Sequence, residues 1–400
     1  MDYGAQHARG RWSRLFRPRV SRIGRQRVGR HGLPASAALR HVDPVLVLTA
    51  LALTAIGAVM IYSASFARLR DEGFTNQFLL NRQLLFAGIG VLAGGIAAAI
   101  PYRRLRTWAG ALYGVGVVLL VAVLSGLGDS SLGAQRWIDL GPLQLQPSEI
   151  MKVGVIVTLA ALLAQARGTP GGLDVLRAIL IVALPAALIF KQPDLGTLLV
   201  LLALLFGALL VAGTRVRAML ALLTLGVAAV WGVLHVGVLE DYQVARLRAF
   251  LDSSADPQVT GYNLNQAKIA VGSGGLTGKG LFQGTQTNLD FVPEQHTDFI
   301  FTAVGEETGF VGSAVLLALF ALLLWRGVRI AMLSKDLFGT LLAAGVVSMI
   351  TFQVFVNIGM TIGLSPITGI PLPFVSYGGS SLLTNFIATG ILLNVHMRRI

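Results

Sequence analysis

Cysteine is absent from the 400 residues, so disulfides, thiolate nucleophiles and cysteine-ligated metals are excluded together. Charge is almost as scarce. Asp, Glu, Lys and Arg make up 13% of the chain, about half of the roughly 25% usual in a soluble domain. With 54% hydrophobic residues, a chain this long reads as a polytopic membrane protein. No internal repeat is visible, which counts against an inverted-repeat transporter. Acidic residues are outnumbered 19 to 32, and the imbalance is local: ten arginines lie between Arg9 and Arg40 with only Asp2 against them. This arm, residues 1–42, reads as a disordered cytoplasmic segment held near anionic lipid headgroups. It carries no aromatic interleaving and no nucleic-acid-binding module, so nucleic acid is not an expected partner. It also lacks the short apolar core and cleavage site of a secretory signal.

The rest, residues 43–400, reads as one all-α membrane domain. Apolar runs of about 20 residues, enough to cross a bilayer, fall near 44–64, 83–100, 107–126, 149–166, 175–191, 194–213, 217–237, 299–325, 338–362 and 379–397. Ten transmembrane helices are expected, with a large extracytoplasmic loop, about 238–298, between the seventh and the eighth. Every second connector is basic: Arg103, Arg104 and Arg106; Arg167 and Arg177; Arg215 and Arg217; Arg326, Arg329 and Lys335. The positive-inside rule then puts these connectors and both termini in the cytoplasm, and Gly133 and the large loop outside.

The motif-like sequence gathers on that outer side. In Gly133 to Lys152, GAQRWIDLGPLQLQPSEIMK, Ser148 is placed to cap the fourth helix, and Glu149 and Lys152 share a helix face at i and i+3. An ion pair at the rim of a membrane helix is costly to keep, which favours a substrate role over decoration. In QPDLGT, Gln192 to Thr197, Asp194 suits the positive end of a helix dipole, and capping and function stand level. The glycine cluster Val271 to Gly284 fails the Walker pattern, since Ser273 stands where a glycine is needed and Gly280 where Ser or Thr is. A tight loop near a ligand and a purely conformational role both remain open. Gly363 to Ser381, with three prolines and four glycines, reads as a re-entrant cavity wall, because irregular backbone at membrane depth must be buried in protein or line a wet space.

The densest polar stretch is FVPEQHTDFIF, Phe291 to Phe301. Glu294, His296 and Asp298 lie on its approach to an apolar run. His296 and Asp298 lack a third ligand in register, so no protein-held metal is expected. Asp298, at the water boundary, is placed for the raised pKa of a general base. Thr297 or Asp298 capping the eighth helix is the bland alternative.

These stretches, with SGGLTGKG, the GEE that follows, and LPFVSYGGSS, resemble in order and spacing the SEDS family of bacterial cell-wall proteins. The likeness covers the chain after Pro44. It implies a peptidoglycan glycosyltransferase that polymerises lipid II into lipid-linked β-1,4 glycan at the outer face of the cytoplasmic membrane, beside a class B penicillin-binding protein. Asp298 matches the family's essential aspartate, and Glu149, Lys152 and Asp194 match positions of functional importance. GTQ at Gly284 to Gln286, NIGMTIGL at Asn357 to Leu364 and TGIPLPF at Thr368 to Phe374 resemble the elongation branch, RodA, more than the division branch, FtsW. Gln192, Glu294, His296, Arg246 and Lys279 are further candidate substrate contacts. Arg246, Arg248, Lys268, Lys279 and Lys152 are candidate cations for the pyrophosphate leaving group, and a divalent cation could serve there too. The reading from another class is a flippase for the same lipid-linked precursor. It fits less well, because the unusual polar groups gather towards one face.

Overall fold

The computed structural model describes residues 41–399 except 72–74, 76, 126–127, 132–133, 140, 142–143, 167, 237–259 and 290. The arginine arm up to Arg40, Gly133, Arg167, Arg246 and Arg248 lie outside the described residues. Those residues form twelve helices and a small sheet: α1 (Pro44–Asp71), α2 (Phe78–Ala99), α3 (Tyr102–Leu124), β1 (Asp129–Ser131), β2 (Ala134–Asp139), β3 (Gln144–Leu145), α4 (Pro147–Leu163), α5 (Gly172–Lys191), α6 (Leu195–Val211), α7 (Val216–Val236), α8 (Thr260–Ser273), α9 (Thr285–Asn288), α10 (Ile300–Met332), α11 (Leu337–Ile362) and α12 (Gly379–Met397).

A helix stands at each of the ten apolar runs. Six are long and apolar enough to cross a membrane: α1 over Pro44–Phe66, α2, α3, α5, α10 and α11. α6 and the Val216–Ala228 part of α7 are apolar but shorter. α11 is central, with 72% of its apolar window inside the protein against 22% for α3. α12 is buried as deeply but is rich in Ser, Thr and Asn, with Ser381, Thr384, Asn385, Thr389 and Asn394 all interior. Such a helix is stable at membrane depth only inside a bundle, where its polar groups find partners. α12 packs on α2 closely enough that a Cβ on Gly390 would meet the backbone of Gly94.

Among the described helices, α6 and α11 have an N-cap side chain that accepts from the first turn. Asp336 caps α11, its Oδ1 accepting from the Gly339 N–H at 2.8 Å, and Gly363 ends that helix in the left-handed conformation, φ 81°. Two expectations are corrected. α4 has Gln146 as its N-cap and Pro147 at its start; Ser148 falls inside the first turn, and its hydroxyl reaches Asp194 instead. α10 continues to Met332, so Arg326 and Arg329 belong to the helix and not to a connector, as do Arg103, Arg104 and Arg106 in α3, Arg177 in α5 and Arg217 in α7. Arg326 lies along α10 to pair with Asp43 at the start of α1, Nε to Oδ2 at 2.8 Å, and an arginine so neutralised can remain helical.

The sheet was not anticipated. Its strands run in the order β1-β2-β3, antiparallel, within the loop that leads into α4.

α10 is broken at Gly309, φ 65° and ψ −160°. Next to the break, the glycine cluster after α8 supplies the missing hydrogen bonds. The Phe310 and Val311 N–H groups donate to Gly275 O (2.9 Å) and Leu276 O (3.1 Å), while Lys279 and Gly280 N–H donate to Glu306 O and Glu307 O, both at 3.0 Å. Those glycines thus have a conformational role in joining the loop to α10.

Candidate active site

A cavity of about 340 Å³ opens where the starts of α4 and α6, strand β2, the turn before α10 and the irregular segment before α12 meet. Five of the sequence-derived residues line it: Glu149, Lys152, Asp194, Glu294 and Asp298.

α4 carries the first two. Lys152 Nζ lies 2.7 Å from Glu149 Oε1, with the side chains only 2% and 3% exposed. Glu149 Oε2 has no hydrogen-bond partner among the described residues. That oxygen is shielded from solvent, so it stands as an unsatisfied acceptor inside the wall.

Asp194 does two things. Its Oδ1 caps α6 by accepting from the Thr197 N–H at 3.0 Å. Its Oδ2 faces the hydroxyl of Thr197 (2.8 Å), the amide of Gln146 (3.3 Å) and the hydroxyl of Ser148 (3.4 Å). Capping and a place in the cavity are compatible, because one oxygen serves each.

Asp298 is half-buried, in a turn in which the N–H groups of Thr297 and Asp298 both point at Glu294 O at 3.2 Å. The N-cap of α10 is Phe299, with no side-chain capping bond of its own, so neither Thr297 nor Asp298 is the N-cap residue. The Asp298 carbonyl accepts from Asn357 Nδ2 at 2.8 Å, and the same nitrogen donates to Ile370 O at 2.7 Å. Gly369, Ile370 and Pro371, with Tyr377, Gly378 and Ser381, complete the wall, as expected of an irregular segment at this depth.

The remaining candidates stand elsewhere. Gln192 is buried outside the cavity, its amide donating to Leu120 O at 3.0 Å. His296 sits behind the wall, its ring 5.7 Å from that of Tyr377 and its carbonyl accepting from the Tyr377 N–H at 2.9 Å. Lys279 is bound to Glu306 at 2.8 Å and to the Thr285 hydroxyl at 2.7 Å. Glu306, fully buried, also accepts from the backbone of Gln286 and Thr287 and the Thr287 hydroxyl, so this carboxylate fastens α9 to α10. Its neighbour Glu307 takes the hydroxyl of Ser63 on α1. Among the described residues no group of three His, Cys, Asp or Glu is arranged to hold a metal ion.

Sequence reasoning missed five cavity or near-cavity residues. Arg136 and Trp137 line the cavity from β2, and Arg136 donates to the carbonyls of Gln192, at 3.0 Å, and Pro193, just ahead of Asp194. Gln146 and Tyr377 line it too. Asn357 stands behind it. All five lay within the motifs named above, and for the first four a side chain inside a polar loop gave no further signal. Asn357 is one of two fully buried amides, with Gln353, inside an apolar helix, and amides at such positions are the signal that could have found it.

Residues 44–400 match the family model for the FtsW/RodA/SpoVE cell cycle proteins. The peptidoglycan glycosyltransferase MrdB of Escherichia coli (strain K12) is 41% identical over 360 residues, covering 90% of this chain and 94% of that one. Stage V sporulation protein E of Bacillus subtilis (strain 168) is 42% identical over 357 residues, 88% of this chain and 96% of that one. Among solved structures, a chain of a peptidoglycan synthase complex that coordinates polymerization and crosslinking superposes with a TM-score of 0.76 at 33% identity, covering 90% of this chain and 98% of that one. The rod shape determining protein RodA of Thermus thermophilus gives 0.66 at 32% identity, with 90% and 97% covered.

Proposed function

This chain belongs to the FtsW/RodA/SpoVE family, and from that premise we infer the reaction of its cavity: it is a peptidoglycan glycosyltransferase that joins lipid II units into glycan. The observation that carries the assignment to this site is the gathering of Asp298, Glu149, Lys152 and Asp194 in one cavity, although they come from three regions far apart in the sequence.

The acceptor sugar's 4-hydroxyl attacks the anomeric carbon of the lipid-linked donor. A C–O bond forms, the C–O bond to the polyprenyl pyrophosphate breaks, and the α-linkage inverts to β. The hydroxyl proton goes to Asp298, which is positioned as general base. The leaving pyrophosphate carries the new charge, and Lys152 and Arg136 are the cations of the cavity wall. Lys152 is already held by Glu149, so the pair presents a fixed dipole and not a mobile charge.

The chain is a multi-pass membrane protein, and we propose the cytoplasmic membrane with ten spans, both termini inside and the cavity open to the outer side. A class B penicillin-binding protein is the proposed partner. The likeness to a complex of polymerization and crosslinking supports it. The motifs GTQ, NIGMTIGL and TGIPLPF favour the elongation branch.

Purified protein supplied with lipid II should yield glycan strands separable on a gel. Asp298→Asn keeps the shape but cannot take the proton, and its rate should fall by about 10²–10⁴-fold with folding unchanged. A wild-type rate in that variant would place the base elsewhere. A wild-type protein that makes no glycan but moves the lipid across vesicles would return the flippase reading.

A further inference from the structure

Asp298 lies at the end of a turn and not inside a helix, so something outside that turn must fix it. The carbonyl of Asp298 is not part of the α10 ladder, because the Thr302 N–H that could reach it donates to Phe299 O at 2.9 Å. Ile370 lies in a stretch without regular structure. Both carbonyls meet one group, Nδ2 of Asn357, at 2.8 Å and 2.7 Å. Asn357 is fully buried on α11, the central helix. Its orientation is dictated: two carbonyl oxygens can be satisfied only by the amino end of the carboxamide, with one hydrogen for each.

We propose that Asn357 is a positioning residue for the transfer reaction, a clamp that sets the height of Asp298 against the Gly369–Pro371 wall of the cavity. The proposal rests on the glycosyltransferase reading above. Its physical content is the fixed separation of the Asp298 and Ile370 carbonyls, at a point beyond the backbone bond from the Tyr377 N–H to His296 O that already joins the two strips. Both strips line the cavity, Asp298 through one and Ile370 through the other. A general base works only at hydrogen-bond distance from the hydroxyl it serves, and a displacement of about 1 Å can cost about 10²-fold in rate. Asn357 touches neither substrate nor the reacting atoms in this scheme. It acts through the backbone of the base.

Two variants separate this role from plain packing. Asn357→Asp keeps the volume but turns two donated hydrogen bonds into oxygen facing oxygen. Asn357→Ser leaves one donor. With purified protein and lipid II, kcat per folded molecule should fall by about 10²-fold in Asn357→Asp and by less in Asn357→Ser, while KM stays within about threefold. Loss that merely tracks the folded fraction, or kcat within about twofold of wild type, overturns the proposal. The clamp is also measurable without activity. In this cysteine-free chain, spin labels on Pro293→Cys and Thr368→Cys report the two strips, and the distance distribution between them should broaden in the Asn357→Ser background. An unchanged distribution overturns the clamp whatever the assay shows. If wild type makes no glycan, the reaction assigned to the family fold is at fault, and the distance measurement still decides the clamp.

Discussion

At the scale of single residues, the Glu149 and Lys152 pair is the sharpest feature of the cavity. Both side chains are almost fully buried, so removing one partner strands a charge, which typically costs about 3–5 kcal/mol. Lys152→Met and Glu149→Gln should each lower the melting temperature in detergent and impair polymerisation. The double variant should regain most of the stability, because no charge is left without a partner, yet stay inactive if the pair serves the substrate. Recovery of activity together with stability would reduce the pair to a structural bridge. This pair was legible in the sequence because i and i+3 charges at the start of an apolar run have few innocent explanations. Lys279 was not. Charge marks a residue as unusual but does not say which carboxylate it meets, and its partner Glu306 lies on another helix. Asn357 escaped for the opposite reason, being neutral and embedded in NIGMTIGL, where its two carbonyl partners are set only by the packing of three distant segments.

At the scale of elements, the apolar runs located the helices well, since burial in lipid or bundle needs little more than length and hydropathy. The sheet was hidden because strands of two to six residues are too short for an alternating pattern. The break in α10 was hidden because Gly309 lies inside an otherwise helical run, and its purpose becomes visible only beside the glycine loop it packs on. That device makes a prediction with opposite signs at two glycines eight residues or fewer apart. Gly278 has φ 79°, and a Cβ there would run into the carbonyl of Glu307. Gly278→Ala should lose about 1–2 kcal/mol from the left-handed backbone alone, and more from the collision. Gly272, in α8, has nothing near the position of a Cβ, so Gly272→Ala should gain roughly 0.5–1 kcal/mol as helix glycines usually do. Thermal unfolding of both variants checks this. Equal melting temperatures would mean that the loop does not depend on its close approach to α10.

At the scale of the whole molecule, the proposed reaction depends on which end of the bundle faces the cytoplasm. The junction of α2 and α3 carries Arg103, Arg104 and Arg106 in the first turns of α3, and the end of the chain carries Arg398 and Arg399. Arg398 folds back on that same end, its guanidinium donating to Ala98 O at 3.0 Å and Ala99 O at 2.7 Å, so the basic junction and the C-terminus share one end of the structure. The cavity is built from the starts of α4 and α6 and the turn before α10, none of which adjoins those arginines in sequence. If the basic end is cytoplasmic, the cavity opens outside, the side on which the proposed transfer would take place. The native absence of cysteine makes a direct measurement possible. Arg104→Cys and Leu289→Cys place single thiols at exposed sites, one in the basic first turn of α3 and one in the loop before α10. An impermeant maleimide added to intact cells should label residue 289 and spare residue 104 until the membrane is opened. Labelling of residue 104 from outside would invert the topology, and the cavity would then face a compartment without glycan to extend.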